Sequence, residues 1–533
     1  MARFALFPFL MGCLFLLVAV SASAQSPPSN VVAALEEEIN LLKETIEENN
    51  RAIRTLRERI TNQATEGAQH AEALENIRRR IARIDVLQTE LQALEARVME
   101  ALATDDSEEA DRLQMHAEVR IRPEYTQNRE DLNSQEDDQD GFWGHRARIA
   151  ADFGFDDWVR ARVSLQDARK FGSRVGTDGG VGIHEAWLEL TPPLIPGLRI
   201  RAGRTEMSYG AERLLGRNDF DFAGQSFDGV VVRAGHLPYF DIEAFYAKLQ
   251  ESDTPLTNDD DFFGAYMMTE AIPDTVLELY YMGLLTSTER EGVEAGATVI
   301  QEFSNTIHSI GARVEGLYFD SLRVEAEAVI QLGTRTDPND ATRELEHFAT
   351  AYFGEIGYQA PILTHPTLSA FFAYASGDAN PNDLKSIDFQ PLFPTRHSFL
   401  GTMDVMAWSN IIDVGGKLEL TPPLGFGFFA GFHYFMLAQK RGALYGLGNG
   451  LTVDVDQDSN PDVIGRSVGM EVDVAVSWAP NDNLQIQAGY SIFLPGTVLE
   501  RLEDVSASSP TASEGDRTPD AAHWAYLQTR VQF

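Results

Sequence analysis

The chain has 533 residues, with 81 Asp and Glu against 43 Lys and Arg and a formal charge of −38. So negative a balance argues against a general nucleic-acid binder, because the phosphate backbone would repel it. A hydrophobic content of 44%, with 31 Phe and 15 Tyr, excludes an acidic disordered chain and leaves a large ordered fold.

Arg3 precedes an apolar run over 4–20, and Ser21-Ala22-Ser23-Ala24 puts small residues where signal peptidase reads them, so residues 1–24 read as a secretory signal peptide. Leu10-Met11-Gly12-Cys13 has the form of a lipobox, but the apolar run continues past Cys13, which speaks against lipidation. Cys13 is the only cysteine, and cleavage after Ala24 would leave no disulfide, thiolate metal site or cysteine nucleophile. No later stretch reaches the roughly 18 uninterrupted apolar residues of a transmembrane helix.

A short linker over 25–30 leads into a segment over 31–104 rich in Glu, Arg, Leu and Ala. Leu35, Ile39, Leu42, Ile46, Asn49, Ile53, Leu56 and Ile60 step by four and three, a heptad seam with charged flanks. After Thr65-Glu66-Gly67, a second run sets Leu74, Ile77, Ile81, Ile84, Leu87, Leu91, Leu94 and Val98 on one face. The expectation is a periplasmic coiled-coil stalk that self-associates or reaches peptidoglycan, with a helical hairpin or plain spacer as the alternative.

Beyond a second linker over 105–114 the period changes to two. Arg120-Ile121-Arg122, Arg146-Ala147-Arg148-Ile149-Ala150, Arg160-Ala161-Arg162-Val163 and Leu198-Arg199-Ile200-Arg201-Ala202 alternate charged with apolar, as do 322–327, 468–474 and 484–488. Alternation alone does not separate a soluble sandwich from a membrane barrel. The connections do. Long polar links over 128–141, 166–182, 204–226, 248–261, 286–305, 333–345, 376–409, 438–465 and 495–521 alternate with tight ones over 155–158, 191–197, 235–239, 272–275, 318–321, 360–367, 421–425 and 480–483. Nine long and eight short links join about 18 strands in simple order. Short periplasmic turns and long extracellular loops are the signature of an outer-membrane barrel, with both of its ends periplasmic. The fold expected over 115–533 is therefore all-β, an antiparallel up-and-down transmembrane β-barrel in the Gram-negative outer membrane, in contact with its lipid. The last strand agrees: Leu527, Thr529 and Val531 share a face and Phe533 ends the chain, as in the barrels that the outer-membrane assembly machinery recognises.

If apolar residues face lipid, their alternating partners Arg120, Arg122, Arg146, Arg148, Arg160, Arg162, Arg199, Arg201 and Arg233 face the channel. Of the 43 basic residues 16 lie between Arg120 and Arg233, a 114-residue stretch, and 15 in the 300 residues after it. The planar fork of arginine suits carboxylates held at two points or handed from one guanidinium to the next. The plainer reading pairs these arginines with Glu118, Glu124, Asp152, Glu185 and Glu189, but about 18 strands enclose more space than side chains fill, which favours a channel. Later strands carry inward acids, among them Glu325, Glu327, Glu355, Glu419, Glu471 and Asp473, so one wall is basic and the rest mixed.

The block over 159–228 carries a resemblance. Leu165-Gln166-Asp167-Ala168-Arg169-Lys170-Phe171-Gly172, His184-Glu185-Ala186-Trp187-Leu188-Glu189-Leu190, Arg201-Ala202-Gly203-Arg204, Tyr209-Gly210-Ala211-Glu212-Arg213-Leu214-Leu215-Gly216 and Gln225-Ser226-Phe227-Asp228 resemble the alginate export family. The resemblance implies an eighteen-stranded monomeric barrel whose arginine-lined lumen, constricted by infolded loops, passes a polyuronate outward. It also implies a ladder of Arg148, Arg162, Arg169, Arg201, Arg204 and Arg213, with Asp167 and Glu212 as partners.

Asp454, Asp456, Asp458, Asn460 and Asp462 place oxygens at every second position in a loop, a spacing that could hold calcium. No other cofactor is expected. Neither a nucleophile elbow, a zinc-helix motif nor a phosphate loop occurs, so no enzyme is expected. The sequence thus reads as a conduit for an anionic polysaccharide, with a porin for small anions or nutrients and an outer membrane to peptidoglycan tether as alternatives.

Overall fold

The computed structural model describes residue 51 and residues 112–533, apart from 130–138, 157, 173–179, 236–238, 251–259, 295–296, 338–339, 381–382, 441, 447–451, 455–464 and 500–519. The signal peptide, both linkers up to residue 111 and the coiled-coil stalk lie outside the described residues, save Arg51. The compact unit of interest is Arg112–Phe533.

Its strands are β1 (Leu113–Gln127), β2 (Asp140–Asp156), β3 (Val159–Phe171), β4 (Val181–Leu190), β5 (Leu198–Thr205), β6 (Phe227–Ala234), β7 (Asp241–Gln250), β8 (Asp260–Ile272), β9 (Thr275–Glu294), β10 (Ala297–Tyr318) and β11 (Leu322–Asp337). They continue as β12 (Asp340–Gln359), β13 (Thr367–Ala375), β14 (Lys385–Ser386), β15 (Ile411–Leu420), β16 (Phe426–Leu437), β17 (Ala443–Tyr445), β18 (Thr452–Asp454), β19 (Ser467–Asn481), β20 (Leu484–Pro495) and β21 (Ala522–Gln532). Three are accessory: β14 adds in parallel to β12, and β17 and β18 form a separate hairpin. The other eighteen each pair antiparallel with the next, and β1 also pairs with β21, so the sheet closes on itself. Among the described residues no helix is long and apolar enough to cross a membrane, and the chain crosses with strands.

Burial is inverted relative to a soluble protein. On β1, Glu118, Arg120, Arg122 and Glu124 are buried while Val119, Ile121 and Tyr125 are exposed. The exposed set faces lipid, the solvent in which apolar side chains lie favourably. Phe155, Trp158, Tyr239, Phe319, Phe426 and Trp478 are exposed beside the tight turns, where an aromatic girdle marks the membrane interface.

Two of the expected long loops are corrected. The stretches 286–305 and 333–345 are largely strand, because β9 and β10 stay paired as far as Glu294 and Ala297, and β11 and β12 as far as Asp337 and Asp340. Thr, Val and Ile are frequent there, and such β-branched residues prolong a ladder even among polar neighbours. At 22 residues β10 spans roughly 70 Å, whereas the eight residues of β5 span roughly 26 Å, little more than an outer-membrane apolar band. The wall is therefore lowest at β5 and β6, between which the 206–226 loop leaves it.

Candidate functional site

The 206–226 and 376–410 loops fold into the lumen and are stitched together. The Gly216 N–H donates to the Phe393 carbonyl at 2.9 Å, Phe393 N–H to Leu214 at 2.8 Å, and Thr395 N–H to Glu212 at 2.9 Å. Phe220 stacks on His397 with ring centroids 3.5 Å apart. Phe389 and Trp408 of the second loop are buried against one another, and Gln331 of β11 exchanges hydrogen bonds with Gln390. Together the two loops form a plug that covers the inward side chains behind it: Arg146 is 0% exposed and Arg120 2%.

Charge holds the plug on opposite walls. On the basic wall, Asp219 receives Arg146 Nη2 at 2.7 Å and Arg120 Nη2 at 2.9 Å, with Arg148 Nη1 at 3.5 Å and Arg530 Nη1 at 3.6 Å. Burial alone would raise the Asp219 carboxyl, but the Arg120 and Arg146 charges hold it well below the usual carboxylate range. Glu118 bridges Arg146 and Arg530 from β1, at 2.7 and 2.6 Å. Glu206, just beyond β5, meets His184 Nε2 at 2.6 Å and Arg148 Nη1 at 3.4 Å. Its burial is likewise outweighed, by the His184 hydrogen bond and the Arg148 charge, so its carboxyl is lowered. On the facing wall the sign reverses: Arg213 of the loop donates to Glu325 and Glu327 of β11, each at 2.7 Å, and lies 3.5 Å above the Phe353 ring. Arg313 of β10 ties Glu278 and Glu325 into the same network. The second loop reaches β19 through Met403 N–H to Glu471 at 2.8 Å and Thr402 to Asp473. Its Gly401 has φ +82°, and an added Cβ would meet the Glu471 carboxyl at 2.5 Å.

The sequence-expected arginines divide into groups. Arg120, Arg122, Arg146, Arg148, Arg160, Arg162, Arg199, Arg201 and Arg233 lie on lumen-facing positions, as period two requires. Most are paired as the plainer reading had it: Arg122 with Glu124 at 2.7 Å, Arg162 with Asp152 at 3.0 Å and Glu185 at 2.8 Å, and Arg201 with Glu189 at 2.7 Å. Arg233 pairs with Asp241, while among the described residues Arg160 and Arg199, near the tight-turn end, make no ion pair. Arg169, Asp167 and Arg204 do not join the ladder. Asp167 and Arg169 oppose Ala147 and His145 on the face that carries exposed Ile149 and Trp143, and Asp167 binds Arg169 at 2.7 Å and His145 at 3.1 Å. Arg204 opposes Ala186 on the face of exposed Leu188 and binds Asp228 at 2.8 Å. The reason is arithmetic: Arg162 to Arg169 is seven residues and Arg201 to Arg204 three, and odd steps change face. Arg213 turns to the acidic wall, and Glu212 binds Ser208 and Thr395 rather than a ladder arginine. The calcium reading keeps only Asp454, at the end of β18, within the described residues; Asp456, Asp458, Asn460 and Asp462 lie outside them.

Residues to which the sequence reading gave no role in the site are Asp219, Glu206, His184 and Arg530. Arg530 was within reach, since Leu527, Thr529 and Val531 take the lipid face of β21 and closure sets Arg530 opposite Arg120. His184 points inward beside Glu185 because a bulge leaves it without a partner between Ser164–Glu185 and Leu165–Ile183. A cavity of about 390 Å³ lies where the plug meets the low wall, beside Gln166, His184, Arg204, Gly224, Ser226 and Phe393.

Among solved structures the chain is similar to Pseudomonas aeruginosa OccK8 (OprE), at 12% identity and a TM-score of 0.52 over 79% of this chain and 98% of that one. It is also similar to Acinetobacter baumannii OccAB3, at 11% and 0.49 over 79% and 99%, and to the outer membrane protein OprD from Pseudomonas aeruginosa, at 11% and 0.48 over 79% and 93%. At such identity the likeness to OccK8 speaks to fold alone. No curated protein matches the chain. The sequence profile described as alginate export matches residues 111–512.

Proposed function

The chain belongs to the alginate export family and is an outer-membrane channel, and we propose that it passes an anionic polysaccharide, an alginate-like polyuronate, outward along its arginine wall. The observation that supports this reading most is the gathering of Arg120, Arg122, Arg146, Arg148 and Arg530 on adjoining strands β1, β2 and β21, all turned inward beneath the 206–226 loop rather than out to lipid. Guanidinium forks in a confined, partly dewatered lumen attract carboxylates more strongly than they would in water. Transport on this reading requires the plug to leave the basic wall, since Arg146 is fully covered while it stays.

Planar-bilayer recording tests it. Anion selectivity that Arg148→Glu with Arg201→Glu abolishes, together with block by polyuronate and none by neutral oligosaccharide, is expected. Unchanged selectivity in the double variant would overturn the arginine track. A second reading, a porin for small anions or nutrients, draws on the two stitched loops that occupy the lumen; block by monomeric uronate but not by the polymer would favour it. For residues 31–104 we keep the stalk as a proposal: deletion is expected to lower oligomer size or release the protein from peptidoglycan, and neither change would leave a spacer.

A further inference from the structure

We propose that the upper edge of β4, left open where β5 and β6 end, is a binding site on the outside of the barrel for lipopolysaccharide, the bisphosphorylated, acylated sugar of the outer leaflet, with Arg169 and Arg204 as its phosphate ligands. The inference needs only an outer-membrane barrel and is independent of what crosses its lumen. The last pair of the β4–β5 ladder is Ala186 with Arg204. Residues 181–185 run on above it, bound to β3 on one side and, among the described residues, to no strand on the other. The open edge is roughly 16 Å long at about 3.3 Å per residue. Unmet backbone N–H and C=O groups are not tolerated against hydrocarbon. An acyl chain offers such an edge neither donor nor acceptor, whereas a sugar headgroup offers both.

The cavity of about 390 Å³ lies at this gap and takes its walls from both faces of the sheet. Gln166, His184 and Phe227 reach it from lumen-facing positions, and Ile183 and Arg204 from the lipid face. Gln166 Nε2 donates to the Ala223 carbonyl at 2.9 Å and Arg204 Nε to Ser226 at 3.1 Å, which pins the loop across the lumen side of the gap. Each flank carries an arginine on the lipid face at the long-loop end of its strand: Arg169 lies two residues from the end of β3, and Arg204 one from the end of β5. Their acidic neighbours do not use up the guanidinium forks. Arg169 binds Asp167 through Nε alone, at 2.7 Å, and Arg204 gives Nη1 to Asp228 at 2.8 Å. Among the described residues both terminal nitrogens of Arg169 and Nη2 of Arg204 are therefore left to a ligand, and both side chains are 40% exposed. Arginine forks suit phosphate oxygens, and basic clusters at membrane surfaces recognise phosphorylated headgroups. Leu165, Val181 and Ile183, exposed on the same face, give acyl chains an apolar bed. A diacyl phospholipid brings one phosphate and no sugar, so it matches only part of the site.

The test uses the full chain, stripped of lipid in detergent and returned to purified lipopolysaccharide, with bound copies counted by native mass spectrometry. Wild type is expected to hold one copy per barrel, and Arg169→Glu with Arg204→Glu to lower occupancy at least tenfold at equal lipopolysaccharide. Equal occupancy in the two proteins overturns the proposal. So does equal retention of dephosphorylated lipopolysaccharide, and so does displacement by an equal amount of phosphatidylglycerol, which would make the site one for any anionic lipid. A second measurement leaves both arginines in place. Lipopolysaccharide should slow maleimide labelling of Ile183→Cys at the gap at least fivefold and leave Ile310→Cys, on the lipid face of β10, unchanged; Ile183 and Ile310 are 53% and 52% exposed. Equal protection at the two positions, or none at Ile183→Cys, overturns the proposal even if the arginine variants fail to assemble.

Discussion

Arg213→Met tests the opposite anchor of the plug. Arg213 is 4% exposed, donates to Glu325 and Glu327 at 2.7 Å each, and covers the Phe353 ring. Methionine keeps the apolar stem and loses both ion pairs. Removing one partner of a buried pair costs about 3–5 kcal/mol, because the remaining charge stays out of water without compensation. Here the low end applies, since Glu325 keeps Arg313 at 2.9 Å and Glu327 keeps the Tyr280 hydroxyl at 2.5 Å. A loss of about 3 kcal/mol in docking raises the undocked population roughly 150-fold, at 1.36 kcal/mol per decade. The closed sheet owes nothing to this contact, so the variant should assemble and keep its heat-modifiable mobility. Single-channel recording should show more frequent or longer open events, and Glu325→Gln with Glu327→Gln added should restore quiet channels by removing the stranded charges. A variant whose open probability matches wild type would refute the claim that Arg213 holds the plug.

Gly401→Ala places a methyl 2.5 Å from the Glu471 carboxyl at a residue of φ +82°, so the second loop should detach from β19 and conductance should rise while the barrel stays folded. Phe393→Ala removes a ring packed on Phe227 and Phe262 at 5.4 and 5.0 Å, and the loss of about 3–5 kcal/mol should appear as faster proteolysis of the two loops rather than as a lower melting temperature of the sheet. The depressed carboxyls of Asp219 and Glu206 give the pH dependence its sign. Their contribution to docking is complete above the ordinary carboxylate range and is lost only as pH falls through their lowered values. Open probability should therefore stay level from neutrality down to about pH 4 and rise below it; a midpoint at the ordinary carboxylate value would contradict the holding of Asp219 by Arg120, Arg146, Arg148 and Arg530.

Period two alone turned Arg120, Arg122, Arg146 and Arg148 inward, and the lengths of the polar links counted the eighteen strands and their order. The same rule, applied to Arg162 and Arg169 or to Arg201 and Arg204, separates them to opposite faces; the resemblance to the export family had grouped them, and face parity overrides it. The hairpin extensions of β9 to β12 were hidden because strand outside the membrane has no lipid-facing side and so loses the clean alternation. Asp219 was not legible at all. It lies in a polar link with no periodicity, and its partner Arg120 is 99 residues away in sequence.

Sequence therefore determined the wall: which residues touch lipid, which face the lumen, and where basic charge accumulates, all consequences of local alternation and of what a bilayer tolerates. Tertiary structure decided what covers that wall. The plug binds an acidic tip to the basic side and Arg213 to the acidic side 114 residues ahead of it, and such complementarity exists only once closure of the sheet brings β21 to β1 and sets the two walls face to face. A charge of −38 describes the chain; the site is described by four arginines and the one loop carboxylate that they hold.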